Sequence, residues 1–310
     1  LPNLNRTIAC HGLSLQVPSD WNVAALSSQP GSGYLRLDDD AMPRLELKWA
    51  QVSGSPAADL PRIKKRYISS LRRSAKKTRS QLVVEELGQA LGKTGKRGKN
   101  FISFRWKASQ QGHTLISSCN SCGRQVLAQL YAPLDDNLPE IADAVFATFR
   151  DHPVNGWHNW SLYDFNFRVP ADFQLLSQSL LLGRLEFAFQ RKAERLIFSQ
   201  WAVAQTQLAG KSLLEWFKTH LGARTQGFRL RTAETNFRGH PSLSIEGQMA
   251  GLKAVFRVLA ATYSKNSPAS SLRWRLWHCP QTNRLVSLQA ILLPSSGELV
   301  DQLAQEIRCH

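Results

Sequence analysis

Two cysteines three positions apart, Cys119-Asn-Ser-Cys122, have the spacing in this chain closest to working chemistry. Two thiolates on a tight turn can share a tetrahedral zinc ion, and the same pair can also close a disulfide. A closed metal site needs two more ligands. The sequence offers His278-Cys279, or Cys10-His11 together with Cys309-His310. None of these completes a recognisable ligand set, so the five cysteines read as reduced, structural thiols. No metal or cofactor is assigned.

The other chemical candidates are weaker. Gly88-Gln-Ala-Leu-Gly92-Lys93-Thr94 has the flavour of a phosphate loop, but Leu87 stands where the first glycine belongs and no strand–loop–helix context surrounds it. Asp38-Asp39-Asp40 would have to converge on a cation, whereas consecutive side chains on a strand or turn diverge, so it reads as a solvated loop. The eight histidines fall in no Ser/His/Asp or His-Glu-x-x-His frame, and no Gly-x-Ser-x-Gly occurs. The expectation is a protein that is not an enzyme.

Charge carries more. The chain holds 39 Lys and Arg against 23 Asp and Glu, a net +16. Residues 62 to 107 alone hold 15 basic residues against Glu85 and Glu86, or +13. Such a balance favours acidic partners. The candidate partner-binding residues are Arg62, Lys65, Arg66, Arg72, Arg73, Lys76, Lys77 and Arg79 on a helix, with Lys93, Lys96, Arg97 and Lys99 in the basic turn after it. A further set, Arg273, Arg275 and Trp277, alternates along a strand of the second half, because Arg and Trp are enriched at interaction hot spots. Phosphate contacts through the same cations make sequence-independent nucleic-acid binding the alternative. Base readout lacks support, since Phe104 and Trp106 alternate with Arg105 and Lys107 and so face the core.

The elements that must hold these residues are written twice. Leu13-Ser-Leu-Gln-Val17-Pro18-Ser-Asp-Trp21 recurs as Phe165-Asn-Phe-Arg-Val169-Pro170-Ala-Asp-Phe173, an offset of 152. Trp49-Ala50 returns as Trp201-Ala202, and Phe104-Arg105 as Phe256-Arg257. Cys119-x4-Arg124 matches Cys279-x4-Arg284 at an offset of 160. A repeat this long is a domain and not a solenoid unit. Within each copy, alternating apolar residues predict strands. In the first copy a helix follows from about Ala57 to Lys77, with Leu60, Ile63, Tyr67 and Leu71 on one face, and a second helix after Pro139 closes the copy. The counterpart of the first helix, Lys211 to Arg224, is aromatic at Trp216 and Phe217. The fold class is therefore α+β, with two tandem pseudo-equivalent domains, each an antiparallel sheet with packed helices. Their bounds are 1–152 and 161–310, and 153–160 is a linker whose Trp157 and Trp160 glue the domains together.

Leu13-x-Leu-x-Val-Pro-Ser-Asp-Trp21 resembles the opening hairpin of the PsbP-like superfamily, which takes in the photosystem II extrinsic protein and domains of the Mog and DcrB type. Ile141-Ala-Asp-Ala-Val-Phe-Ala-Thr-Phe149-Arg150 is similar to that superfamily's closing helix. The chain departs from it in having two copies and no visible lipobox. The resemblance implies a binding or assembly domain without catalysis. An accessory or scaffold subunit is thus expected, docking an acidic protein or larger assembly through the basic helix. A third reading is an enzyme with its site between the repeats, where ligand sites often lie. No run of about 18 apolar residues predicts a membrane span. The first residues lack the regions of a secretory signal, which makes the cytoplasm the expected location, although a leader already removed would leave no trace.

Overall fold

The computed structural model describes residues 3–52, 60–87, 101–119, 122–153, 155–250, 271–293, 296 and 298–309. The chain divides into two compact units, Leu1–His152 and Pro153–His310. The start of the first helix, Ala57 to Asp59, falls outside the described residues.

In the first unit, β1 (Arg6–Cys10) and β2 (Leu13–Val17) form a hairpin. His11 and Gly12 both take positive φ, 53° and 78°, which matches the twist of a two-residue hairpin turn. Then come β3 (Asn22–Gln29), β4 (Ser32–Asp38), β5 (Pro43–Gln51), α1 (Leu60–Lys77), β6 (Val83–Leu87), β7 (Phe101–Lys107), β8 (Gln111–Ser118), β9 (Arg124–Ala132) and α2 (Leu138–Thr148). Seven strands make one antiparallel sheet in the order β3-β4-β5-β9-β8-β7-β6. Leu60, Ile63, Tyr67, Ile68 and Leu71 of α1 pack on Phe104, Trp106 and Ile116 on one face. On the other face Phe146 of α2 meets His113 of β8 edge-on at 5.2 Å. Covered from both sides, β8 is buried almost continuously and loses the usual in–out alternation.

The second unit opens with β10 (Trp157–Leu162) and β11 (Phe165–Pro170), joined through Tyr163 and Asp164, again both at positive φ. It continues through β12 (Gln174–Leu181), β13 (Arg184–Arg191), β14 (Glu194–Trp201), α3 (Ala204–Leu208), α4 (Leu213–His220), a 3-10 turn at Gly222–Thr225, β15 (Phe228–Phe237), β16 (His240–Met249), β17 (Ser271–Cys279), β18 (Arg284–Leu292) and α5 (Glu298–Glu306). Its sheet runs β12-β13-β14-β18-β17-β16-β15, the first order position for position. Both units are mostly antiparallel sheet with few helices.

The shared topology corrects three sequence readings. The segment read as a linker, 153–160, enters strand β10 at Trp157, and Trp160 is core, stacked on Phe167 at 6.1 Å and set edge-on to Phe189 at 5.2 Å. Phe104 of β7 pairs with Thr114, whose equivalent at the 160 offset is Trp274, and Trp274 pairs with Ile245. The counterpart of Phe104 is therefore Ile245, and Phe256-Arg257 lies outside the described residues. The numbers of residues between equivalent strands explain the change of offset. Residues 88–100 join β6 to β7 where the second unit has only Arg238-Gly239, and residues 250–270 join β16 to β17 where the first has 108–110.

Trp49 and Trp201 are not equivalent either. Trp49 shares its face with Leu45 and Leu47 and meets His11 of the β1–β2 hairpin at 5.2 Å. Trp201 points to the opposite face of its sheet, edge-on to Trp216 of α4 at 5.2 Å. A register shift between Leu37 and Asp38 interrupts β4–β5, whereas β13–β14 runs unbroken. A slip of one residue sends a side chain to the other face. By contrast Val17 and Val169 are both fully buried. Trp21 and Phe173 are equivalent as well, each carrying a guanidinium over its ring, Arg44 at 5.6 Å and Arg191 at 4.4 Å.

Candidate functional site

The basic helix is built as its spacing requires. Pro61 stands in the first turn, where its missing N–H costs nothing, and the apolar stripe faces the sheet. The chain leaves α1 with Arg79 at φ 52° and Ser80 N–H donating to Ala75 O at 3.0 Å, a left-handed close. Arg62, Lys65, Arg66, Arg72, Arg73, Lys76, Lys77 and Arg79 are all exposed. Of the eight basic residues in α1, Lys64 is drawn in, bonded to Glu86 at 2.5 Å and lying 6.0 Å over the ring of Phe104.

Among the described residues, Lys65, Arg66, Arg72, Arg73, Lys76, Lys77 and Arg79 have no acidic partner. Several arginines elsewhere are paired. Arg44 pairs with Asp136 at 2.9 Å, Arg191 with Glu194 at 2.7 Å and Arg224 with Glu186 at 2.9 Å. The α1 cations also sit against one another, with like charges four apart at Arg62/Arg66, Arg72/Lys76 and Arg73/Lys77. Each such pair destabilises a helix by about 0.2–0.5 kcal/mol. Among the described residues the first turn carries no acid, and the cations Arg62, Lys64 and Lys65 lie close to it, at the end where the helix dipole favours negative charge. Lys93, Lys96, Arg97 and Lys99 lie outside the described residues.

The second-unit candidates do not form a surface. Trp277 is 1% exposed and packs on Phe237 at 5.2 Å, so no partner reaches it. The Arg273/Arg275/Trp277 face, open by alternation alone, is covered where Arg275 donates to Asp301 of α5 at 2.5 Å. Arg273 remains half-exposed. Trp216 and Phe217 of α4 are likewise core, packed on Trp201 and Trp274. A Ser212–Glu215 capping box starts that helix, and it is much shorter than α1.

A cleft of about 400 Å³ opens between α1 and its sheet, lined by Tyr67, Ser74, Thr78, Trp106, Tyr131 and Glu46. Tyr34 donates to one oxygen of Glu46 at 2.6 Å and Tyr131 to the other at 2.9 Å. Tyr67 donates to Gln129 Oε1, which also accepts from Thr114 at 2.5 Å. Burial pushes all three phenols up, and the Glu46 carboxylate adds to it, bringing Tyr34 to about 12. They are held as neutral hydrogen-bond donors.

Among the described residues, thiols and imidazoles gather in two clusters. Cys119, Cys122 and His152 bring their ligand atoms within 4.8 Å of one another, and so do His240, Cys279 and Cys309. The third member of the first cluster is His152, and neither His278-Cys279 nor Cys10-His11 belongs to it. Cys119 and Cys122 are half-buried and His152 is exposed, while the second cluster is buried throughout. Burial raises the Cys122 and Cys309 thiols and pushes Cys10 up to about 12. His152 and His240 escaped the sequence reading because each reaches its cysteines across at least 30 residues.

No protein-family model matches the chain, and no curated protein does. Among solved structures it is similar to cyanobacterial PsbP (CyanoP) of Synechocystis sp. PCC 6803, at 10% identity over 51% of this chain and 94% of that one, TM-score 0.35. It is also similar to the Ran-binding protein Mog1p of Saccharomyces cerevisiae, at 15% identity over 49% of this chain and 92% of that one, TM-score 0.31. A chain of the Tle4-Tli4 complex matches at 11% identity over 99% of this chain and 98% of that one, TM-score 0.27. The first two are members of the PsbP-like superfamily that the opening and closing segments resemble.

Proposed function

We propose that this protein is a non-catalytic accessory or assembly subunit that docks an acidic protein surface on the exposed face of α1. The observation that carries this reading is the set of seven cations, Lys65, Arg66, Arg72, Arg73, Lys76, Lys77 and Arg79, exposed together without acidic partners among the described residues. Their mutual repulsion works against the helix that bears them. An acidic partner relieves that repulsion and gains charge-assisted hydrogen bonds. An 18-residue helix is about 27 Å long, enough for one edge of a standard interface.

A protein fits this face better than a nucleic acid. Base-stacking platforms need exposed aromatic rings beside the cations. Here Phe104 and Trp106 are buried and Tyr67 is tied to Gln129. The test is the quadruple reversal Arg72→Glu, Arg73→Glu, Lys76→Glu and Lys77→Glu in affinity capture from a native-source lysate treated with nuclease. All four side chains are exposed and outside the apolar stripe, so the melting temperature should stay within a few degrees. Loss of an acidic protein that the unaltered chain retains is the expected result. Unchanged retention, or a capture that nuclease abolishes, rejects the reading.

A further inference from the structure

We propose that Cys119, Cys122 and His152 form a zinc site with one open coordination position. The two cysteines lie between β8 and β9, and the described residues beside them are tied down at several points. Cys119 N–H donates to Arg124 O at 2.9 Å, Gly123 N–H to Cys119 O at 2.9 Å, and Val52 N–H to Gly123 O at 3.0 Å. Gln51 Nε2 donates to Cys122 O. Gly123 sits at φ 69°, and a Cβ there would fall 2.9 Å from Val52 O, so the turn closes only on glycine. The backbone that carries each thiol is therefore anchored.

His152 reaches them from a separately anchored segment. Arg150 exchanges two backbone hydrogen bonds with Ser14, at 2.9 and 2.8 Å, and Arg124 donates to Asp151 O at 3.3 Å. Those bonds set His152 Nε2 2.8 Å from Cys119 Sγ. Two thiolates and an imidazole about 2.3 and 2.0 Å from a tetrahedral zinc ion stand roughly 3.5–3.8 Å apart. All three ligand atoms already lie within 4.8 Å of one another. Binding needs shifts of about an ångström and the loss of two thiol protons to solvent. Asp151 Oδ1 stands 3.7 Å from His152 Nε2 but is not one of the three clustered ligands, which leaves the fourth place to a water molecule. The exposure of His152 provides the entry path.

The second cluster supplies an internal contrast. Cys279 is the topological equivalent of Cys119 and again lies near a thiol and an imidazole. There Cys279 donates to Gln281 at 3.5 Å, Cys309 lies 3.4 Å from His240 Nε2, and every member is buried. That cluster has packing and hydrogen bonds without an approach from solvent.

Titrating the reduced, full-length chain with Co²⁺ and then displacing it with Zn²⁺ tests the assignment. Sulfur-to-cobalt charge-transfer absorption should saturate near one equivalent, and Zn²⁺ should bleach it. Cys119→Ser/Cys122→Ser should lose the band, and His152→Ala should weaken Zn²⁺ at least about tenfold against a chromophoric chelator. Mass-spectrometric alkylation of the unaltered chain needs no variant: Zn²⁺ should protect Cys119 and Cys122. Absence of charge transfer, its survival in Cys119→Ser/Cys122→Ser, or a Cys119–Cys122 disulfide in protein isolated anaerobically would overturn the proposal.

Discussion

His113 shows how a buried titratable group speaks for the fold. It lies fully buried in β8, with Nε2 2.8 Å from Ser103 Oγ and its ring set against Phe146. Burial, with the positive charge of Arg105 nearby, lowers its pKa from 6.5 to about 4. Nδ1 has no hydrogen-bond partner among the described residues, so a second ring N–H would be buried without an acceptor. Between those two values the unfolded chain binds a proton that the native state refuses. Stability is therefore unaffected above about pH 7 and falls as pH drops from 6.5 toward 4, by up to about 1.4 kcal/mol per unit and about 3 kcal/mol in all. The His113→Gln chain should show a flatter profile of unfolding free energy across that window, whatever its absolute stability. Parallel profiles for the two proteins would mean that His113 already titrates normally in the fold.

Elements were legible in the sequence where one periodicity ruled, and obscure where two packing demands met. The stripe Leu60, Ile63, Tyr67 and Leu71 placed α1 on its sheet, and the alternation of Phe104 and Trp106 put both beneath it. Trp277 misled because alternation assigns a face without saying what covers it, and Phe237 lies against this one. Trp49 misled because a register shift in β4–β5 cannot be read from identical residue pairs. The exposed cations of α1 were plain from composition. The His152 side of the thiol cluster was not, because it depends on the chain path after α2. Gly112 is another feature that only packing reveals: a Cβ there would fall 2.3 Å from Trp106 Cε2 and 2.5 Å from Gln129 Nε2. Gly112→Ala must displace the indole that supports α1 and should cost about 1–3 kcal/mol by denaturant midpoint. A change within about 0.5 kcal/mol would show that the indole is free to move.

At the scale of the whole molecule, the question is whether the net +16 acts as a diffuse field or through one face. Each half carries +8 by residue count, 21 − 13 up to residue 155 and 18 − 10 beyond it, so bulk charge does not distinguish the two units. Arrangement does, because α1 concentrates its unpartnered cations on one helix while the second unit spreads its own over separate strands and loops. A second quadruple reversal, Lys192→Glu, Arg195→Glu, Arg229→Glu and Arg231→Glu, uses exposed residues of the second unit and brings the net charge from +16 to +8, as the α1 reversal does. Beyond a Debye length of about 8 Å at physiological salt, scattered charges contribute little to a contact, whereas cations within the contact keep their effect. Affinity for the partner captured by α1 should therefore fall at least about tenfold in the α1 variant and stay within about twofold in its charge-matched control. Equal losses in both would assign the attraction to net charge, leaving α1 no more than its most basic part.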